Sequence, residues 1–478
     1  MKYAAELLAE FAVQLNLTDV PSDVIDYTKK VIADTVAASI LGGRMPWSKA
    51  VLATAIHSKT EGSSSIIGLP HTVSSSAAAF VNGSYAHAND FDDFYAYGPL
   101  HPSAAVWVAL PMGEEVRATG ADIVTNVILG YEIATRVAEA CFSSTRKEKA
   151  LVERGFHGQP TCGVVAAAAQ AARLLRLSSS TIASAMGVAG SYAGGLMQFM
   201  EEPADTKRFH FGKASSEGIT SAVLAANGFR GPKSVLEGRK GLLNAISGEW
   251  VDSKLSENLG SQFHVMSSFL KPVPTMGGNL GCFEAMCRVM ENNRLTHRDI
   301  ESITAELRSQ FTGYSIGIGE RAVREHYSPP DRYTAEMSLP YLMGLVAFYG
   351  RNLKPTHFDK EMRTRADVLE LVKRVTVNFA ADIDAVSREE AYAMGRVTVR
   401  TRQGSKFTET VKRSLGHPHN PMSWHQIRAK FDACAEGAMQ REQIEECFDL
   451  ISHLEECPSV ERLGVLLRGA GVTPWPGE

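Results

Sequence analysis

Four short segments place histidine, lysine, arginine or aspartate in loops otherwise rich in glycine, proline or apolar residues. The first is His87-Ala88-Asn89-Asp90-Phe91-Asp92-Asp93, followed by Gly98-Pro99-Leu100-His101-Pro102-Ser103. Three carboxylates within four residues repel one another, so each needs a cation, a proton or a helix N-terminus close by. His101 directly precedes Pro102 and the apolar run 104–110. Proline favours the first helical turn, so the spacing predicts His101 at the positive end of a helix. A neutral imidazole suited to moving protons near pH 7 is expected there. The competing reading has Asp92 and Asp93 capping a helix while His101 packs a loop. The second segment is Gly155-Phe156-His157-Gly158-Gln159-Pro160-Thr161. One such histidine is most often structural, whereas two, each opening a helix, point to a shared anion site.

The third segment, Asp205-Thr206-Lys207-Arg208-Phe209-His210, offers adjacent cations for a carboxylate or phosphate. The commoner role for such a pair is a solvated surface. The fourth is Lys271-Pro272-Val273-Pro274. Its prolines keep the loop non-helical and give Lys271 a stiff support. The plain alternative is a linker lysine, although junction loops are favoured places for small-molecule sites. Walker A and H-E-x-x-H motifs are missing from the sequence. Asp90-Phe91-Asp92-Asp93 does not give the D-D-x-x-D spacing of magnesium-binding helical synthases. No metal or cofactor is expected.

The elements that must hold these residues follow from periodicity. Val24, Ile25, Val31, Ile32, Val36 and Ile40 recur at helical spacing behind Ser22, a candidate cap, and Gly42-Gly43 should stop that helix. Further helices are expected over 121–141, over the alanine-rich 163–175 and over 183–197. From Lys271 the texture changes. Ile303, Ala305 and Leu307 alternate with polar residues, as do Val375, Val377 and Phe379, then Val397 and Val399, then Phe407 and Val411. Gln403-Gly404 falls where a hairpin turn belongs, and 337–349 reads as an apolar helix. After Pro421 helical spacing returns. The fold class expected is mainly α, with a helical body from both chain ends (1–270 and 412–478) and a smaller α+β unit (271–411).

Composition narrows the function. With 49 lysines and arginines against 53 acidic residues, the net charge is −4. That balance argues against gripping nucleic acid or an anionic membrane. No run approaches the ~20 apolar residues of a membrane span. Glu6 interrupts any leader-like start. Seven scattered cysteines form no C-x-x-C pair, which fits a reduced, cytoplasmic protein.

At these same segments the sequence resembles the MmgE/PrpD family. The resemblance rests on Ala86-His87-Ala88-Asn89-Asp90-Phe91-Asp92-Asp93, His101-Pro102-Ser103, Gly155-Phe156-His157, Thr206-Lys207-Arg208 and Lys271-Pro272. The opening Val20-Pro21-Ser22-Asp23 and the 335–341 and 395–399 runs extend it over nearly the whole chain. That family includes 2-methylcitrate dehydratases, cis-aconitate decarboxylases and iminodisuccinate epimerases. The resemblance implies a large all-helical domain, a smaller α+β lid, a cofactor-free site between them and a homodimer. It implies catalytic roles for His101, His157 and Asp90, and binding of a small polycarboxylate by Lys207, Arg208 and Lys271. Tyr314 is the candidate for the family's lid tyrosine. Two positions depart from the pattern. Phe94 stands where the decarboxylases have a small hydroxyl residue, and Leu280 replaces a histidine. The implied activity is a cofactor-independent lyase, with dehydration slightly favoured because the decarboxylase wall is not reproduced. An epimerase or isomerase of an imino- or amino-dicarboxylate is the same-fold alternative. A non-catalytic dimeric binding protein is the alternative outside enzymes.

Overall fold

The computed structural model describes residues 2–97, 100–142, 150–200, 204–309 and 326–471, so Tyr314 lies outside the described residues. The fold is mainly α. Two compact units divide the chain: residues 1–88, 92–268 and 427–474 form one, and residues 89–91, 269–426 and 475–478 the other.

The first unit is helical. Its helices Ser22–Gly43, Ser75–Ala86, Val106–Val116, Gly120–Phe142, Gly158–Leu174 and Thr206–Ala226 carry the segments singled out above. Ser22 is the first helical residue, and Pro21, with its fixed φ of −56°, occupies the cap position instead. As expected, Gly42 and Gly43 end that helix. They form its last turn, where a Cβ on Gly42 would lie 1.9 Å from the Tyr85 carbonyl oxygen. Their second job is close approach to the Ser75–Ala86 helix. The stretch expected over 183–197 is helical only over Ser179–Ala189, capped by the Ser178 hydroxyl, and a loop with Gly194 at φ +151° follows.

Small residues set how tightly these helices cross. The Thr206–Ala226 helix packs against Gly158–Leu174 and Ser75–Ala86. A Cβ on Gly212 would sit 1.9 Å from the Phe80 carbonyl oxygen, so only glycine permits this crossing. The alanines of Gly158–Leu174 are buried throughout, as a bundle interior requires.

The second unit is α+β. Its strands are β1 (Ile300–Leu307), β2 (Val375–Phe379), β3 (Gly395–Thr401) and β4 (Lys406–Val411). Their order is β2-β1-β3-β4. β1 pairs parallel with β2 (Ala305 opposite Val377) and antiparallel with β3 (Ala305 opposite Val397). β3 and β4 form a hairpin with Val399 opposite Phe407. Gly404, at φ +89°, makes its turn. The helix Leu280–Asn292 packs on β3 and β4, and Leu339–Tyr349 packs on that helix. All seven cysteines are unpaired. Among the described residues, no helix is long and apolar enough to cross a membrane.

Candidate functional site

His101 ends an extended loop and enters the 3-10 turn Pro102–Ala105, which runs on into the helix Val106–Val116. Its Nδ1 lies 3.0 Å from the backbone carbonyl oxygen of Asp93. A carbonyl oxygen only accepts, so Nδ1 carries the hydrogen, and in the neutral ring Nε2 then carries the lone pair. His157 is the N-cap residue of Gly158–Leu174. Its backbone N–H donates to the Gly195 carbonyl, and its own carbonyl accepts from the Thr161 hydroxyl. Both histidines thus open helices, and their ring centroids are 6.4 Å apart.

Two further imidazoles complete a cluster within the first unit. His87 follows the Ser75–Ala86 helix and stacks on Phe211 at 3.9 Å. Its ring is 4.9 Å from His101 and 6.3 Å from His157. His210, on Thr206–Ala226, places its Nδ1 3.0 Å from Nδ1 of His157. Burial pulls the His157 pKa well below the ordinary histidine value. The nearby His210, His87 and His101 rings and the Lys207 ammonium push it the same way. His210 is lowered to about 4 by burial, with Lys213 and Lys207 adding to the shift. These two rings are therefore neutral near pH 7. Phe94 lies 6.1 Å from His101, so an aromatic ring stands beside that imidazole.

The three crowded carboxylates are stabilised in three ways. Asp90, in the second unit, is met by a cation: Lys271 Nζ donates to its Oδ1 at 2.8 Å and to its backbone oxygen at 2.7 Å. Asp90 sits at φ +48°, a conformation that aspartate tolerates better than most residues. Asp92, in the first unit, accepts from His87 Nδ1 and from the Ser103 hydroxyl, both at 2.8 Å. Asp93 keeps a proton. Burial raises its pKa to about 8, with the charges of Asp92 and Asp34 adding to the shift, against hydrogen bonds from Ser268 and Tyr131.

The cationic segment divides likewise. Lys207 lies in the first turn of Thr206–Ala226, near enough to His157 and His210 to disfavour their protonation. Arg208 forms an ion pair with Asp205, and its guanidinium carbon lies 3.9 Å over the Trp47 ring. Arg208 thus braces the start of the helix. His87, Asp92 and His101 each offer one ligand atom, all within 4.8 Å, the one constellation of this unit's described residues with metal-binding spacing. Each of the three is already engaged in the hydrogen bonds above.

Of the residues expected from sequence, the first unit gathers His101, His157 and Lys207. Asp90 and Lys271 pair in the second. His210 was not singled out for a role. Its signal was legible, since it follows Lys207 by three positions on a helix and therefore shares its face.

Residues 6–253 match the MmgE/PrpD N-terminal domain and residues 274–454 the MmgE/PrpD C-terminal domain. A cis-aconitate decarboxylase of Aspergillus terreus is 26% identical over 96% of this chain and 95% of its own length. The cis-aconitate decarboxylase of Mus musculus is 24% identical over 99% of this chain and 95% of its own. That of Homo sapiens is 26% identical over 93% and 90%, respectively. Matched by both domains in order, and over nearly its whole length by these relatives, the chain belongs to the MmgE/PrpD family.

Proposed function

We propose that this protein is a cofactor-independent lyase that removes water or carbon dioxide from a small di- or tricarboxylate. The observation that carries the reading is the histidine pair. His101 has its Nδ1 hydrogen committed to a carbonyl, and His157 is held neutral at a helix N-terminus. In dehydration, His101 Nε2 takes the proton from the carbon next to a carboxylate, and His157 protonates the departing hydroxyl, which leaves as water. In decarboxylation, the same acid delivers a proton to the alkene carbon as the carbon–carboxylate bond breaks and CO2 leaves. Both routes build negative charge on the substrate, which an oriented cation such as Lys207 stabilises.

The relatives named cis-aconitate decarboxylase support decarboxylation, whereas Phe94 beside His101 supports an altered pocket and a different acid. Asp90 and Lys271 enter the proposal through the family resemblance alone. A homodimer is proposed on the same ground, and localisation in the cytoplasm on the seven scattered, unpaired cysteines.

The test is incubation of the purified protein with citrate, 2-methylcitrate, cis-aconitate and an iminodicarboxylate, with products followed by NMR. Loss of water or CO2 from one acid is expected, and His101→Ala is expected to slow it by roughly 10²- to 10⁴-fold. Undiminished turnover in that variant sinks the assignment. Proton exchange at carbon without loss of either fragment transfers the protein to the epimerases. Tight binding without any turnover makes it a binding protein.

A further inference from the structure

The proposed reaction leaves His210 without a task, yet its ring is bonded to that of His157. The two Nδ1 atoms are 3.0 Å apart, and both residues are buried. Two nitrogens at this distance share one hydrogen, so one donates and the other accepts. Neither ring readily takes a second proton near neutral pH, because burial disfavours both cations. A neutral imidazole carries a single N–H. The direction of the bond therefore decides what His157 presents at its other nitrogen.

If His157 donated, its Nε2 would be a lone pair. It would then duplicate His101, whose Nδ1 hydrogen is already committed to the Asp93 carbonyl. Two bases and no acid do not make a lyase. If His210 donates, His157 Nδ1 is the acceptor and Nε2 carries the hydrogen. The two rings then hold opposite tautomers, one able to take a proton and one able to give it.

Supports on both sides fix the geometry. The His157 backbone is pinned at Gly195 and Thr161. His210 rides on a helix whose crossing with Ser75–Ala86 is locked at Gly212. A Cβ on Gly195 would lie 3.3 Å from His210 Cε1, so the backbone at Gly195 stands close beside that ring.

We propose that His210 is a positioning residue that donates its Nδ1 hydrogen to His157 and thereby holds His157 as the Nε2–H tautomer, the proton donor of the pair. The role as donor rests on the lyase reading, whereas the tautomer is a property of the resting protein. The test therefore begins without substrate. Protein labelled with 15N-histidine is examined at pH 7 by long-range 1H–15N correlation, with His157 and His210 assigned from single variants. His157 as Nε2–H and His210 as Nδ1–H are expected. His157 found as Nδ1–H, or as imidazolium, overturns the proposal whatever the activity.

Kinetics then read the consequence. His210→Asn places an amide donor near the lost Nδ1 and is expected to keep kcat within about tenfold, whereas His210→Leu lowers kcat by about 10²-fold with KM nearly unchanged. Equal losses in the two variants, or an unaffected kcat in His210→Leu, also overturn it. If His210→Leu fails to fold, the labelled wild type and His210→Asn decide. The expected tautomers in a protein that turns over no acid would sink the lyase reading and leave the tautomer assignment standing.

Discussion

Asp93 keeps its proton up to about pH 8 because burial and the neighbouring Asp92 and Asp34 charges disfavour its ionised form. Its carboxyl in an unfolded chain would lose that proton near the ordinary value of 3.8. Between these two values the folded protein binds one proton more than the unfolded one, so this residue erodes stability as pH rises and levels off above about 8. Asp93→Asn removes the dependence at a site where the native group is already neutral. Its stability relative to wild type is expected to climb from pH 5 to pH 8, by at most about 1.4 kcal/mol per pH unit. Urea unfolding at several pH values measures this, and a difference that stays constant with pH rules it out. Asp92, one residue away, is satisfied instead by His87 and Ser103. The sequence could state that three adjacent carboxylates need partners. It could not say which partner each would have, because His87, Tyr131 and Lys271 reach them from separate elements.

Among the elements, the crossing of Thr206–Ala226 with Ser75–Ala86 controls where His210 and Lys207 stand. Gly212→Ala would drive a methyl into the Phe80 carbonyl, where the receiving atoms are backbone that cannot readily yield, with the Ser84 hydroxyl 2.4 Å away as well. A loss of roughly 1–3 kcal/mol is expected from such overpacking, along with reduced turnover as the helix is displaced. Calorimetry of the variant checks this, and an unchanged melting temperature contradicts it. The helices and strands themselves were legible. Alternation in Ile303, Ala305 and Leu307 and in Val397 and Val399 foretold β1 and β3, and Gly404 foretold the hairpin between β3 and β4. Less legible was why a glycine was present. Gly42 and Gly43 read as a stop, and they also serve a contact with Tyr85, 42 and more residues along the chain. The Arg208–Trp47 stack was invisible for the same reason, since periodicity reports a residue's face and says nothing of its distant partner.

For the molecule as a whole, alkaline conditions are the expected weakness. His264 is raised to about 9: burial pulls its pKa down, and hydrogen bonds and charge from Glu132 and Glu139 more than reverse that. A raised histidine contributes fully below its unfolded value of 6.5 and loses its contribution as pH passes about 9. His264→Leu is expected to destabilise clearly at pH 6, where Glu132 is left buried without it, and progressively less as pH rises from about 6.5 to about 9, levelling off beyond. Thermal melts across that range test the point, and a penalty that grows with pH would contradict it. The near-neutral balance of 49 against 53 charges conceals these local arrangements, because the groups that matter are buried in pairs.

The tripeptide Asn89–Phe91 belongs to the second unit, while the chain on either side of it belongs to the first. It carries Asp90, the carboxylate that Lys271 holds. A gene fragment encoding 269–426 alone would therefore be missing the counter-charge of a buried lysine. The boundary near residue 269 is a poor place for scissors: this pair of units shares its ingredients along the chain, and evolution or an engineer exchanging one of them must carry the distant loop along with it.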